Sequence, residues 1–217
     1  MTHDCSAADG GRAVQGRRAF TLIELLVVIA VIMVLIGLSF PAYSAVRRSS
    51  QRKTTKALLQ RVALACDSYE NDWGDYPPSV PAKVGLRSNG RNDGIEVLVR
   101  CLTTAQKGGP YLDEVEDSLL GNGDDDAIGG TDPTGSNLGT KALLELKDPW
   151  GNPILYLHHS EYDKGGPVEL LSGELVKVPA AKSEVTQQYA DLTRFQLRSA
   201  GPDGVFQTDD DVTSWGD

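Results

Sequence analysis

An α+β fold, with one long N-terminal helix set against a small sheet, is what the sequence predicts, and three observations predict it. Residues 25–46 form a stretch of 22 without Asp, Glu, Lys or Arg. From there on Val46, Leu58, Val62, Cys66 and Tyr69 recur at helical spacing among basic residues. The C-terminal half then offers three short strand candidates. Strands facing a helix make a small two-layer domain. The 217 residues suffice for one such domain plus an appendage, and 40% hydrophobic with 24% charged residues excludes wholesale disorder and a polytopic membrane protein.

The apolar stretch has the length of a membrane span, since a helix of this size rises roughly 33 Å against a hydrocarbon core of about 30 Å. Arg12, Arg17 and Arg18 precede it, which keeps the N-terminus cytoplasmic and sends the C-terminal bulk of the chain across a membrane. It is too long for an ordinary cleaved secretory signal. A plain signal anchor is the alternative, and Glu24 speaks against it. An ionised carboxylate inside an apolar run costs on the order of 3 kcal/mol and needs a cationic partner, which no Lys or Arg in the next 22 residues supplies. Cutting the chain before Phe20 would create an amine at the same depth on a neighbouring copy.

The helix then continues to Trp73, one side buried and the other wet, with Arg47, Arg48, Arg52, Lys53 and Lys56 on it and a kink or local melting expected around Gly37 and Pro41. Gly, Pro, Ser and Asn over 74–92 end it in a loop. Asp93 with Glu96 reads as a capping box opening a second helix to about Thr104. Residues 108–139, rich in Gly and Asp, read as a long exposed loop; within it NGDDD at 122–126 is either solvated or a second cation site. KDPWGNP at 147–153 is a tight turn, with strand candidates after it at 154–158, 168–178 and 194–199.

Net charge −9 and a pI near 4.8 argue against nucleic-acid binding, because phosphate contact needs a basic surface. No Gly-rich phosphate loop is present. Adjacent His158 and His159, on a predicted strand, should point to opposite faces and share no metal easily. An enzyme is not expected. Cys66 and Cys101 fall on predicted buried faces, as a disulfide or as two free thiols; Trp73, Trp150 and Trp215 read as core residues. The segment from Ser199 to the end holds Asp203, Asp209, Asp210, Asp211 and Asp217 and no basic residue, so it is either a solvated acidic tail or a loop organised by calcium.

The string RRAFTLIELLVVIAVIMVLIGLSFPAY, residues 17–43, resembles the N-terminal signature of type IV pilins and of type II secretion pseudopilins. The resemblance implies a prepilin leader over 1–19, cut by a prepilin peptidase that methylates the new amine of Phe20. It makes Glu24 the assembly glutamate and Pro41 the helix proline, with 20–46 the transmembrane and assembly half of the helix. Residues 47–217 would be the exported globular domain, pilin-like, with the helix on a small antiparallel β-sheet. Ala19 departs from the pattern, which usually has Gly before the cut. DPWGNP and the ending are similar to the major pseudopilins, where such a C-terminal loop, here 201–217, holds calcium; Asp203, Asp209 and Asp211 match its ligands, and Asp210 could replace either neighbour.

The resemblance further implies a filament of copies of this chain, minor pseudopilins, an inner-membrane assembly platform, and a single pass through the bacterial inner membrane with the C-terminal domain on the periplasmic or outer side. A minor or competence-type pilin that binds DNA or a surface is the rival.

Overall fold

The computed structural model describes residues 20–113 and 115–215, the side chains of 38–42 excepted, and divides at Val46 and Arg47 into two units. The leader, with Ala19 and the cut itself, lies outside the described residues. Helix α1, Leu22–Trp73, contributes to both units. Its backbone stays helical past Gly37 and Pro41, so no local melting occurs there; the Pro41 side chain lies outside the description. In the first unit the side chains from Leu22 to Ile36 are exposed on every side of the helix. Among the described residues no helix is long and apolar enough to cross a membrane.

The second unit is an α+β domain. Gly74, at φ 82°, stops α1 and donates its N–H to the Glu70 carbonyl at 2.7 Å, a left-handed conformation that glycine adopts without cost. A single 3₁₀ turn at Pro81–Val84 interrupts the loop to α2, Asp93–Leu102. Then come β1 (Leu120–Gly121), β2 (Glu145–Leu146), β3 (Leu155–His158), β4 (Gly166–Glu169), β5 (Leu175–Val178), β6 (Phe195–Ser199) and β7 (Val212–Thr213). All pairings are antiparallel: β1 with β2, β4 with β5, and a central sheet ordered β3-β6-β7 with Tyr156 opposite Leu197.

One face of α1 buries Leu58, Leu59, Val62, Cys66 and Tyr69 against α2 (Ile95, Leu98, Leu102) and the sheet (Tyr156, Phe195, Leu197). Their i, i+3 and i+4 spacing forms a single stripe, which is why the sequence pattern is periodic. Arg194 beside β6 pins the helix with an ion pair to Asp67 at 2.5 Å and holds the loop after it through the Tyr76 hydroxyl at 3.2 Å. Gly94 lets α2 settle on β3: a Cβ there would lie 2.4 Å from the Tyr156 carbonyl oxygen.

The structure corrects several expectations. Asn92, not Asp93, occupies the N-cap of α2, in the left-handed region at φ 46° and without a side-chain cap. Glu96 therefore closes no capping box and is buried instead. The poorly alternating 168–178 segment is the β4–β5 hairpin, its reversal centred on Ser172 and Gly173, where the Gly173 N–H reaches the Leu170 carbonyl at 2.8 Å. Residues 108–139 are no simple exposed loop. Leu112 enters the core, the buried Arg100 of α2 reaches Asp132 at 3.2 Å, and the Thr104 hydroxyl donates to the Thr134 carbonyl at 2.7 Å; just beyond, Leu143 and Leu146 are core residues and Arg100 also bonds the carbonyls of Thr140 and Ala142.

Cys66 and Cys101 are buried free thiols, and burial drives the Cys101 thiol up to about 12. Trp73 is half-buried rather than a core plug, stacked on Tyr69 with ring centres 5.2 Å apart; Trp150 and Trp215 are likewise half-buried.

Candidate functional site

The first candidate site is the start of α1. Thr21 and Glu24 stand three positions apart, and the two close a reciprocal cap. The Glu24 Oε2 accepts the Thr21 backbone N–H and hydroxyl, both at 2.9 Å, while the Thr21 hydroxyl accepts the Glu24 N–H at 3.3 Å. Negative charge in the first turn also suits the helix dipole. The sequence reading of Glu24 as an acid in need of a cation thus missed a local contact, although Thr-x-x-Glu was legible at 21–24. Both donors belong to Thr21, on the far side of the Ala19–Phe20 bond from the leader, so the cap persists whether or not the leader is removed. Phe20 is 84% exposed and Leu22 88%, so the cap is set in an unpartnered apolar surface.

The second is the loop between β6 and β7. Gly201 and Gly204 turn it as expected, at φ 68° and 70°. A Cβ on Gly201 would lie 2.5 Å from the Asp210 carbonyl oxygen. The loop brings Asp203 to Asp210, whose Oδ2 accepts the Asp203 N–H at 3.2 Å, while the Thr208 hydroxyl holds the Asp210 Oδ1 at 2.5 Å. Asp211 turns inward: its Oδ2 accepts the Gln207 N–H at 2.9 Å and lies 3.7 Å from the Arg198 guanidinium. Burial raises the Asp211 carboxyl and lowers the Arg198 guanidinium from their ordinary values.

Asp209 is exposed. The carboxylate oxygens of Asp203, Asp209 and Asp211 are not gathered within 4.8 Å of one another. The segment itself has no basic residue, but β6 lends it Arg198 from one position upstream, a contact that a reading confined to the segment misses. One observation does fit a cation here. The Asp211 Oδ1 is buried without a hydrogen-bond partner, an arrangement that costs free energy unless something positive approaches it.

Two further side-chain groups have metal-ligating composition. Asp75, His158 and His159 lie together, with the two rings 4.2 Å apart. The expectation of opposite faces fails because β3 ends at His158 and His159 begins a 3₁₀ turn, which breaks the strand alternation. Both ring nitrogens of His158 have protein partners, Ser160 at Nδ1 and Asp75 at Nε2, and the His159 Nδ1 meets the Arg194 carbonyl. The other group is Glu96 with Asp124 and Asp126. Burial, and after it the charges of Asp126, Asp124, Glu145 and Asp93, pushes Glu96 up to about 10, and burial with Asp124 first among its neighbours pushes Asp126 to about 6. Asp124 and Asp126 are half-buried and both accept from Asn89, so NGDDD is not a solvated loop at those two positions, while Asp125 between them is exposed.

Comparison with known proteins places these sites in context. A family model described as prokaryotic N-terminal methylation motif matches residues 15–40, which contain Ala19, Phe20 and Glu24. The chain is 26% identical over 209 residues, 94% of its own length and 95% of the relative's, to the type II secretion system core protein G of Escherichia coli strain K12. No solved structure matches significantly.

Proposed function

We infer, from the premise that this chain is a type IV pilin-like pseudopilin, that it serves as a structural subunit of a pseudopilus filament in type II protein secretion and is processed by a prepilin peptidase. The observation that carries this is the start of α1, where an apolar surface exposed all round surrounds one carboxylate inside the methylation motif. A helix apolar on every face is stable only when lipid or other helices cover it.

The role is mechanical, not catalytic. Residues 20–46 hold the monomer in the inner membrane with 47–217 on the outer side. Cleavage after Ala19 frees the Phe20 amine, and the Glu24 carboxylate of an adjacent copy neutralises it as the helices pack. Thr21 holds that carboxylate at the helix end beforehand, which limits the entropy lost on pairing. Pro41 is the helix proline of this half. Minor pseudopilins and the assembly platform would meet the same helical surface.

Calcium would be held by the 201–217 loop through Asp203, Asp209 and Asp211, with Asp210 available beside Asp203. When bound it supplies positive charge to crowded carboxylates and ties the loop to β6. The unpartnered Asp211 Oδ1 supports this, and Arg198 occupies only the other side of that carboxylate.

Immunogold imaging of sheared cell-surface and periplasmic material with antibody to residues 47–217 checks the filament role. Labelled filaments along their whole length are expected; label confined to dispersed membrane protein would contradict it.

A further inference from the structure

The carboxylates around the start of α2 divide their oxygens in a regular way. Asn89 Nδ2 donates to the Asp124 Oδ2 at 2.6 Å and to the Asp126 Oδ2 at 2.9 Å. Ser88 donates its hydroxyl to the Asp93 Oδ2 at 2.6 Å. In each case the other oxygen is left over: Asp124 Oδ1, Asp126 Oδ1 and Asp93 Oδ1 are all buried without a hydrogen-bond partner, and so is Glu96 Oε1. Glu96 is only 1% exposed. Glu145, by contrast, is satisfied by Asn92 and by the Gly123 N–H. The loop is also braced, because Asn122 both accepts the Asp126 N–H at 3.1 Å and donates to the Asp126 carbonyl at 2.7 Å.

We propose that Glu96, Asp124 and Asp126 form a binding site for one divalent cation of the calcium class, which fastens the 108–146 segment to α2. One ligand oxygen from each of the three lies within 4.8 Å of the others. Calcium takes oxygens at about 2.3–2.6 Å, so two ligands on opposite sides of one ion stand about 4.6–5.2 Å apart, and the spacing suits a single ion. An all-carboxylate set favours a hard cation, and the absence of thiol or imidazole from this set disfavours zinc. Asp93 adds a further unpartnered oxygen beside it.

Among the described residues no cationic side chain is seen to make a hydrogen bond or ion pair to Glu96, Asp124 or Asp126, and Arg100 reaches Asp126 only through its charge. Arg100 directs its Nη atoms to Asp132 and to the Thr140 and Ala142 carbonyls, and Lys147 acts on Glu145. Unpaired buried charges of one sign are among the costliest features a fold can carry. An ion bridging α2 and the 122–126 turn removes that cost and closes the segment onto the domain. The site is distinct from the β6–β7 loop and does not depend on filament assembly.

The test uses the full chain in detergent, stripped with chelator and titrated calorimetrically with calcium chloride. Glu96→Gln, and separately Asp124→Asn with Asp126→Asn, should each bind one calcium fewer per chain than the parent and lose part of the calcium-induced rise in Tm. Asp203→Asn with Asp211→Asn should leave this equivalent in place, which separates the two sites. In chelator, Glu96→Gln should be at least as stable as the parent, because the amide keeps the shape of the buried side chain and adds nothing to the negative charge around it. Equal calcium stoichiometry in parent and Glu96→Gln, or a Glu96→Gln chain that is less stable in chelator and responds to calcium like the parent, would overturn the proposal.

Discussion

Glu24→Ala should be trimmed and inserted normally yet build no filaments. Two contributions of the carboxylate separate by size. As the N3 acceptor of the α1 cap it adds only modestly to an exposed helix start, and the globular domain buries its core without it. As the partner of a neighbour's amine in apolar surroundings, its removal strands a buried charge at a cost of about 3–5 kcal/mol. At roughly 1.4 kcal/mol per tenfold, association weakens at least about 10²-fold per added subunit, and every subunit in the filament repeats the loss. Thr21→Ala is the control. It removes the hydroxyl of the cap and keeps the carboxylate, so filaments should persist at reduced yield. Quantitative imaging, alongside immunoblots of precursor and trimmed chain, reads both. Normal filaments from Glu24→Ala would rule out the pairing.

Asp148→Ala should be among the most destabilising single changes in the globular domain. Asp148 is 2% exposed. Its Oδ1 accepts the backbone N–H groups of Trp150 and Asn152, both at 3.0 Å, and its Oδ2 accepts the Ser199 hydroxyl at 2.7 Å. Ser199 in turn accepts the Gly201 N–H at 3.1 Å. One carboxylate therefore folds the DPWGNP turn and links it, through β6, to the acidic loop. Truncation leaves three donors without an acceptor, two of them backbone groups that cannot turn away. At about 1–3 kcal/mol per buried unsatisfied group, partly relieved by entering water, the loss should be about 3–5 kcal/mol in urea unfolding. Asp148→Asn, which keeps one acceptor oxygen for the turn, should recover much of it. A loss below about 1 kcal/mol for the alanine variant would show that the turn stands without its aspartate.

Parts of this molecule are written locally and were legible as such. The stripe Leu58, Val62, Cys66 and Tyr69, the end of α1 at Gly74, the strand at 155–158 and the glycine turn at 201–204 each depend on neighbours within a few positions. The Thr21–Glu24 cap was equally local and was overshadowed by the cost of placing an acid among apolar side chains. Other features depend on distant partners. Glu96 carries a capping signature with Asp93, yet tertiary packing assigns the cap to Asn92 and turns Glu96 toward residues that arrive nearly thirty positions later. His159 leaves the strand because a 3₁₀ turn begins there, which alternation alone does not signal. The 108–139 segment looked like loop from its Gly and Asp content, and the contacts that hold it, Arg100 to Asp132 and Thr104 to the Thr134 carbonyl, start from another part of the chain. Arg198 reaches Asp211 for the same reason: sheet pairing, not sequence proximity, brings it there.

The most direct measurement is the N-terminal peptide spectrum of the chain isolated, with its assemblies intact, from its native host. A chain beginning at an N-methylated Phe20 in filamentous material is the expected result. A chain that still begins at Met1 and stays solitary in the bilayer would contradict it.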